Sequence, residues 1–208
     1  MEKSQFRNLC LKSRKKETTH NLRYKNHIAN QKLSNILKNL TFKNALFYWP
    51  LDEEIDFRET IKTLRRDKKE IFLPFMQGNS FKMVNFRLPL KRKKFEIFEA
   101  GNSLKDNKKI DIVIVPIVGI DVNFARVGFG KGMYDRFFET LKNRPITIFV
   151  QPQLCYTNEN ICNEHDIQSN LVLTYSGCYN KKRIRSVRLN THNGARCTSR
   201  WSSRFFHL

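Results

Sequence analysis

Between Arg126 and Arg136 the chain reads Arg-Val-Gly-Phe-Gly-Lys-Gly-Met-Tyr-Asp-Arg, with three glycines at alternate positions among charged and aromatic side chains. At Gly128, Gly130 and Gly132 the backbone can approach an anion closely, and N–H groups opening a following helix can point at it. Lys131, Arg126 and Arg136 add positive charge, and Asp135 offers a carboxylate oxygen to a divalent cation. A nucleoside triphosphate with magnesium needs this combination. The apolar run Ile112 to Pro116 reads as a buried strand and the segment Phe137 to Lys142 as a helix, so the glycine turn lies on the path from strand to helix.

The spacing G-x-G-x-G fits neither a Walker-type loop nor the dinucleotide fingerprint, and by itself a tight turn with a solvated lysine competes evenly with a phosphate cradle. The whole pattern Arg126-x-Gly128-x-Gly130-Lys131-Gly132-x-Tyr134-Asp135-Arg136, after a strand ending in Val-Pro, resembles the signature of the 5-formyltetrahydrofolate cyclo-ligase family, also called methenyltetrahydrofolate synthetases. Lys3-Ser-Gln-Phe-Arg7 resembles the family's opening Lys-x-x-x-Arg, and Tyr48-Trp49-Pro50-Leu-Asp-Glu-Glu54-Ile55 its substrate-binding strand and loop. Gln153 and His165-Asp166 stand where the family commonly has Gln and His-Asp. The resemblance runs from the first residue to about Thr174. Two departures stand out. Met133 replaces the first of the family's two tyrosines, and Asn170 occupies a position that is often acidic, which puts a second metal ligand in doubt.

The resemblance implies ATP as co-substrate, magnesium as cofactor, and ring closure of 5-formyltetrahydrofolate, polyglutamylated or not, to 5,10-methenyltetrahydrofolate through a phosphorylated formyl group. It makes Lys3, Arg7, Arg126, Gly128, Phe129, Gly130, Lys131, Gly132, Met133 and Tyr134 the expected ATP contacts. Lys131, Arg126 and Tyr134 become the catalytic candidates, Asp135 the metal ligand, and Trp49, Glu54 and Tyr134 the folate contacts. As residue types alone, several keep a plainer reading. A carboxylate such as Glu54 accepts two donors side by side, as a pterin edge requires, while Asp52 and Glu53 read as solvated neighbours. Trp49 is as readily core, Tyr134 packing, and His165 a turn cap. A folate- or nucleotide-binding protein without turnover, and an RNA-binding protein, remain as alternatives.

The formal charge of +20 motivates the RNA reading. Lysine spread over a body also suits anionic substrates, and neither an RRM-type motif nor zinc-finger spacing is present. Eight of the 39 Lys and Arg follow residue 176, where there is no acidic residue and arginine outnumbers lysine. The expected organisation is therefore a catalytic domain over 1–176 and a disordered basic tail over 177–208, which binds nucleic acid weakly at most. A chain of 208 residues supports one core. Without a membrane-length apolar run or a signal-peptide block, a soluble, cytoplasmic monomer is expected. Five cysteines, odd in number and without a C-x-x-C pair, suggest reduced thiols and no zinc.

The elements that must position these residues alternate between helical and strand patterns. Phe6, Leu9 and Cys10 share one face of a first amphipathic helix, and Ile28 to Leu40 continues as a longer one. Ala45 to Trp49 reads as a strand ending at Pro50, and Asp56 with Glu59 opens a third helix through Ile61 and Leu64. Strands are expected at Glu70–Phe75, Phe81–Phe86, Phe95–Phe98, Asp111–Val115, Ile146–Val150 and Leu171–Thr174, with a turn at Gln77 to Ser80. This order predicts a three-layer α/β/α domain with a mostly parallel sheet, Rossmann-like in layout, carrying a short antiparallel insertion near residues 80–98. Ligands in such sheets bind beyond the carboxyl ends of the strands, where both the Glu54 loop and the glycine turn would lie.

Overall fold

A computed structural model describes residues 1–17, 22–86, 91–92, 98–99 and 109–181. The expected strand at Phe95–Phe98 falls mostly outside these residues, as does the basic segment beyond Lys181. The helices are α1 (Lys3–Glu17), α2 (Leu22–Lys38), α3 (Arg58–Arg66) and α4 (Met133–Glu139). The strands are β1 (Asn44–Leu46), β2 (Glu70–Gln77), β3 (Ser80–Asn85), β4 (Lys91–Arg92), β5 (Phe98–Glu99), β6 (Ile112–Pro116), β7 (Gly119–Ile120), β8 (Arg126–Val127), β9 (Ile146–Val150), β10 (Leu171–Leu173) and β11 (Cys178–Tyr179).

Seven strands form the main sheet in the order β11-β10-β9-β6-β1-β2-β3. Its centre is parallel, with Ala45 of β1 in register with Ile71 on one side and Ile112 on the other. Only the edges, β2 with β3 and β10 with β11, are antiparallel. Strand alternation sends Ala45, Ile112, Ile114 and Ile148 to one face, where Leu33 of α2 and Ile61 of α3 cover them. Leu46, Val113, Val115 and Phe149 point to the other face, against Phe137 of α4. That is the period of two expected of strands buried on both sides, and it yields the predicted three layers. From β1 the chain adds β2 on one side and later returns to place β6 on the other. The topological switch point therefore lies between β1 and β6.

Several expectations change. The helix after the glycine turn begins at Met133 and ends at Glu139 rather than spanning Phe137 to Lys142, because Gly132, with φ of 58°, turns the chain directly into it. An antiparallel pair, β7 with β8, intervenes between β6 and the turn. The proposed boundary at residue 176 cuts through a β-hairpin: Val172 and Leu173 of β10 pair with Tyr179 and Cys178, both buried. Gly177 to Tyr179 therefore belong to the sheet. The thiols are not all reduced, since Cys10 and Cys155 form a disulfide across 145 residues of sequence. α1 brings Cys10 into a small cluster with Phe6, Val118 and Val127, beside the loop that carries Cys155. Among the described residues no helix is long and apolar enough to cross a membrane.

Candidate functional site

A cavity of about 320 Å³ opens at the switch point, beyond the carboxyl ends of β1 and β6. Tyr48, Trp49, Leu51 and Glu54 line it from the segment after β1, and Pro116 from the end of β6. Pro74 and Met76 of β2 and Phe81 of β3 form an apolar wall. Arg126, Phe129, Lys131, Gly132, Met133 and Tyr134 supply the remaining side. Its size and mostly apolar lining, broken by a few charged groups, suit an organic ligand oriented by specific polar contacts.

The glycine turn works by conformation as well as by the absence of side chains. Gly130 has φ of 98° and Gly132 φ of 58°, a region that L side chains seldom adopt. Arg126, only 6% exposed, passes under the turn, and its guanidinium lies 2.9 Å from the Asp135 carboxylate and 5.2 Å from the Tyr134 ring centre. Its Nε has no hydrogen-bond partner. A buried guanidinium donor left unmatched in a cavity wall is costly, and an anionic ligand would satisfy it. Lys131 is exposed at the rim. Arg136 instead supports the turn from outside, donating to the Asn79 and Lys131 carbonyls.

Across the cavity, Glu54 is buried while Asp52 and Glu53 are exposed, as expected of solvated neighbours. The Glu54 carboxylate accepts the Leu51 N–H at 3.1 Å. Desolvation is the largest influence on it and raises its pKa from an ordinary 4.5 to about 7, against the lowering effects of that hydrogen bond and of Arg14. Burial also raises the Tyr134 hydroxyl, and the nearby Glu54 charge adds to the effect while Arg126 opposes it. Tyr48 donates to the Ile55 carbonyl at 2.6 Å and so braces the loop that carries Glu54. Trp49 combines both readings open to it. It lines the cavity and also packs on Phe86 with ring centres 5.6 Å apart.

α1 lies along the rim and attaches to it through basic side chains. Lys3 pairs with Asp166 at 2.6 Å, and Arg7 donates its Nε–H to the Gly128 carbonyl at 2.7 Å. Arg14 donates its Nε–H to the Glu53 carbonyl at 2.9 Å. Lys3 does not line the cavity, whereas Arg7 reaches the glycine turn itself. Arg14 was not singled out by the sequence reading, although positions 3, 7 and 14 share one helical stripe and that periodicity was a usable signal. Pro74, Met76, Phe81 and Pro116 were also missed as cavity residues, and Tyr48 and Leu51, although inside the segment expected to bind substrate, were not named as contacts. Apolar residues in or next to strands carry no mark that separates a cavity wall from ordinary core.

Asp135 holds Arg126 and also accepts the Ile167 N–H at a long 3.5 Å. Among the described residues no three His, Cys, Asp or Glu side chains gather as a metal cage. A single carboxylate still fits magnesium, which commonly takes one or two protein oxygens and completes its shell with phosphate oxygens and water. Asn170 lies at the opposite ends of the strands. Its Oδ1 accepts the Thr147 N–H at 2.9 Å, at the starts of β9 and β10, so its departure from an acidic residue leaves the cleft unaffected. His165 is exposed, and Gln153 accepts the Ser13 hydroxyl at 3.1 Å, which anchors α1 further.

Fold and cleft together define a three-layer α/β protein with a ligand cavity at its switch point, cationic on one wall and carboxylate-bearing on the other. The profile of the 5-formyltetrahydrofolate cyclo-ligase family matches residues 1–175, and the chain belongs to that family of enzymes. It is similar to 5-formyltetrahydrofolate cyclo-ligase of Haemophilus influenzae, with 26% identity over 139 residues, covering 63% of this chain and 74% of that protein. The corresponding protein of Mycoplasma pneumoniae is 27% identical over 142 residues, covering 68% of this chain and 79% of its own. The fold resembles that of Aquifex aeolicus 5,10-methenyltetrahydrofolate synthetase with a TM-score of 0.72 and 24% identity, covering 92% of this chain and 99% of that one.

Proposed function

We propose that the chain uses ATP and magnesium to close 5-formyltetrahydrofolate to 5,10-methenyltetrahydrofolate, releasing ADP and phosphate. The observation that carries this reading is the convergence of Glu54, Arg126, Lys131 and Tyr134 on one cavity in a chain that the family profile covers from residue 1 to 175. A formyl oxygen is a poor leaving group, so direct attack by N10 with loss of water is slow. Transfer of the γ-phosphoryl group to that oxygen releases ADP and leaves an imidate-like phosphate. N10 then forms the new C–N bond, the C–O bond breaks, phosphate departs with the oxygen, and the N10 proton is lost.

Such a transfer depends on alignment and on charge placed where it develops. Arg126 and Lys131 serve that role toward the phosphates, and Arg7 supports the turn by holding the Gly128 carbonyl. Phe129 and Met133 flank the glycines as the remaining nucleotide-side contacts. Asp135 would hold the magnesium, which neutralises phosphate charge when bound. On the opposite wall, Glu54 accepts donors from the pterin edge, and Trp49 and Tyr134 enclose the ring. The test is product formation from 5-formyltetrahydrofolate with each component omitted in turn. Product is expected only with both ATP and magnesium. Product without ATP, or none with any nucleotide, overturns the reading.

A further inference from the structure

Arg14 belongs to none of the motifs that define the cleft, yet it is one of few buried cations in the described structure. It is 6% exposed. Its guanidinium donates through Nε and through a terminal nitrogen to the same Glu53 carbonyl, in the residue immediately before Glu54. The same group lies 5.6 Å from the centre of the Phe129 ring, in the glycine turn. One side chain thus joins α1 to both walls of the cavity.

We propose that Arg14 is a positioning residue for the folate side of the cleft: by fixing the Glu53 carbonyl it aims the Glu54 carboxylate, and by stacking on Phe129 it keeps that loop in register with the nucleotide turn. The proposal rests on the folate reading given above. Two buried groups of the cavity wall, Glu54 and Tyr48, and the half-buried Tyr175 outside it sense the same cation, since desolvation raises the pKa of each and Arg14 opposes that rise. Glu54 shares the cavity with Tyr48 from beyond β1, Arg126 from β8, Lys131 from the turn and Tyr134 from α4, with Asp52 and Glu53 exposed on its own loop. Those groups stay constant when only Arg14 is changed. A planar guanidinium can grip one carbonyl and stack at once, whereas an ammonium cannot do both.

The experiment measures affinity for 5-formyltetrahydrofolate and for a non-hydrolysable ATP analogue across about pH 5.5 to 8.5, in unmodified protein, Arg14→Gln and Arg14→Lys. Folate binding through ionised Glu54 is strong above its pKa and lost as pH falls through it. Arg14→Gln removes a cation that favours the ionised form, so the midpoint of that loss should move upward. Folate affinity at pH 7 should fall roughly tenfold with the nucleotide analogue little affected. Arg14→Lys should keep the midpoint while still losing affinity, because charge is retained and the fork is not; it carries the test if Arg14→Gln does not fold. Turnover at saturating folate should change less than KM in both variants. An unshifted midpoint in Arg14→Gln, unaltered folate affinity in Arg14→Lys, or equal loss of both ligands with a lowered melting temperature overturns the proposal. If the unmodified protein binds no folate at all, the functional reading itself fails, which is a separate and visible result.

Discussion

The Glu54 carboxylate is buried at the cavity wall with the Leu51 N–H, 3.1 Å away, as its one hydrogen-bond donor among the described residues. A carboxylate of this kind disfavours its own ionised form, and desolvation accordingly moves its pKa up to about 7. The arrangement trades stability for a concentrated acceptor facing the ligand.

Glu54→Gln should therefore raise stability above neutrality while weakening folate binding. A raised folded-state pKa means that the stability contribution is full below the ordinary 4.5 and is lost as pH rises through about 7. The difference between variant and unmodified protein should be small near pH 4.5 and plateau above pH 7 at up to roughly 3 kcal/mol. Chemical denaturation at several pH values measures it. A gap independent of pH would show that Glu54 titrates normally. Folate affinity should fall before ATP affinity does, because an amide replaces one of two acceptors by a donor. The reverse order would exchange the assigned walls.

Lys131→Ala should depress turnover by on the order of a hundredfold while leaving folate affinity nearly unchanged. Lys131 is exposed at the rim, so removing it leaves the core intact, and its charge matters most where phosphoryl charge is redistributed. Single-turnover kinetics together with direct folate binding separate the two effects. Loss confined to folate affinity would place the lysine on the wrong ligand.

The backbone plan was legible because it rests on periodicity. The unbroken apolar run Ile112 to Val115 marks a strand covered on both faces, and the spacing of Leu33, Ile36 and Leu37 marks a helix packed on it. Glu54 and the glycine turn were legible through residue type, since a carboxylate after a strand and alternating glycines are unusual where nothing is to be bound. What stayed hidden depends on tertiary approach. The apolar wall of Pro74, Met76 and Phe81 reads as plain strand. Arg14 reads as one more surface cation until α1 is laid along the rim. β11 follows a composition change that resembles a domain end, yet two of its side chains, Cys178 and Tyr179, close the sheet.

Pairing of Cys10 with Cys155 should be directly detectable. Peptide mapping under non-reducing conditions should recover the two cysteines in one cross-linked fragment that separates on reduction. Cys10→Ser should lower stability by about 2–4 kcal/mol relative to the oxidised protein, since the bond closes a long loop in the unfolded chain. Under reducing conditions variant and unmodified protein should converge. Recovery of Cys10 only as a free thiol in air-exposed protein would contradict the pairing.

Truncation after Ser176 and truncation after Lys181 should differ sharply. The shorter chain lacks β11, which leaves the Val172 and Leu173 edge of β10 unpaired and removes the buried side chains of Cys178 and Tyr179. It also loses the Gly177 carbonyl, which accepts the Thr174 N–H at 2.8 Å and closes the hairpin. Burial of two such side chains stabilises by on the order of 3 kcal/mol, and an exposed strand edge adds a tendency to associate. The longer chain keeps every one of these contacts. Denaturation midpoints and light scattering on the two truncations should show the first less stable and more prone to aggregate. Equal midpoints would mean that β11 adds nothing to the sheet and that the domain does end at residue 176.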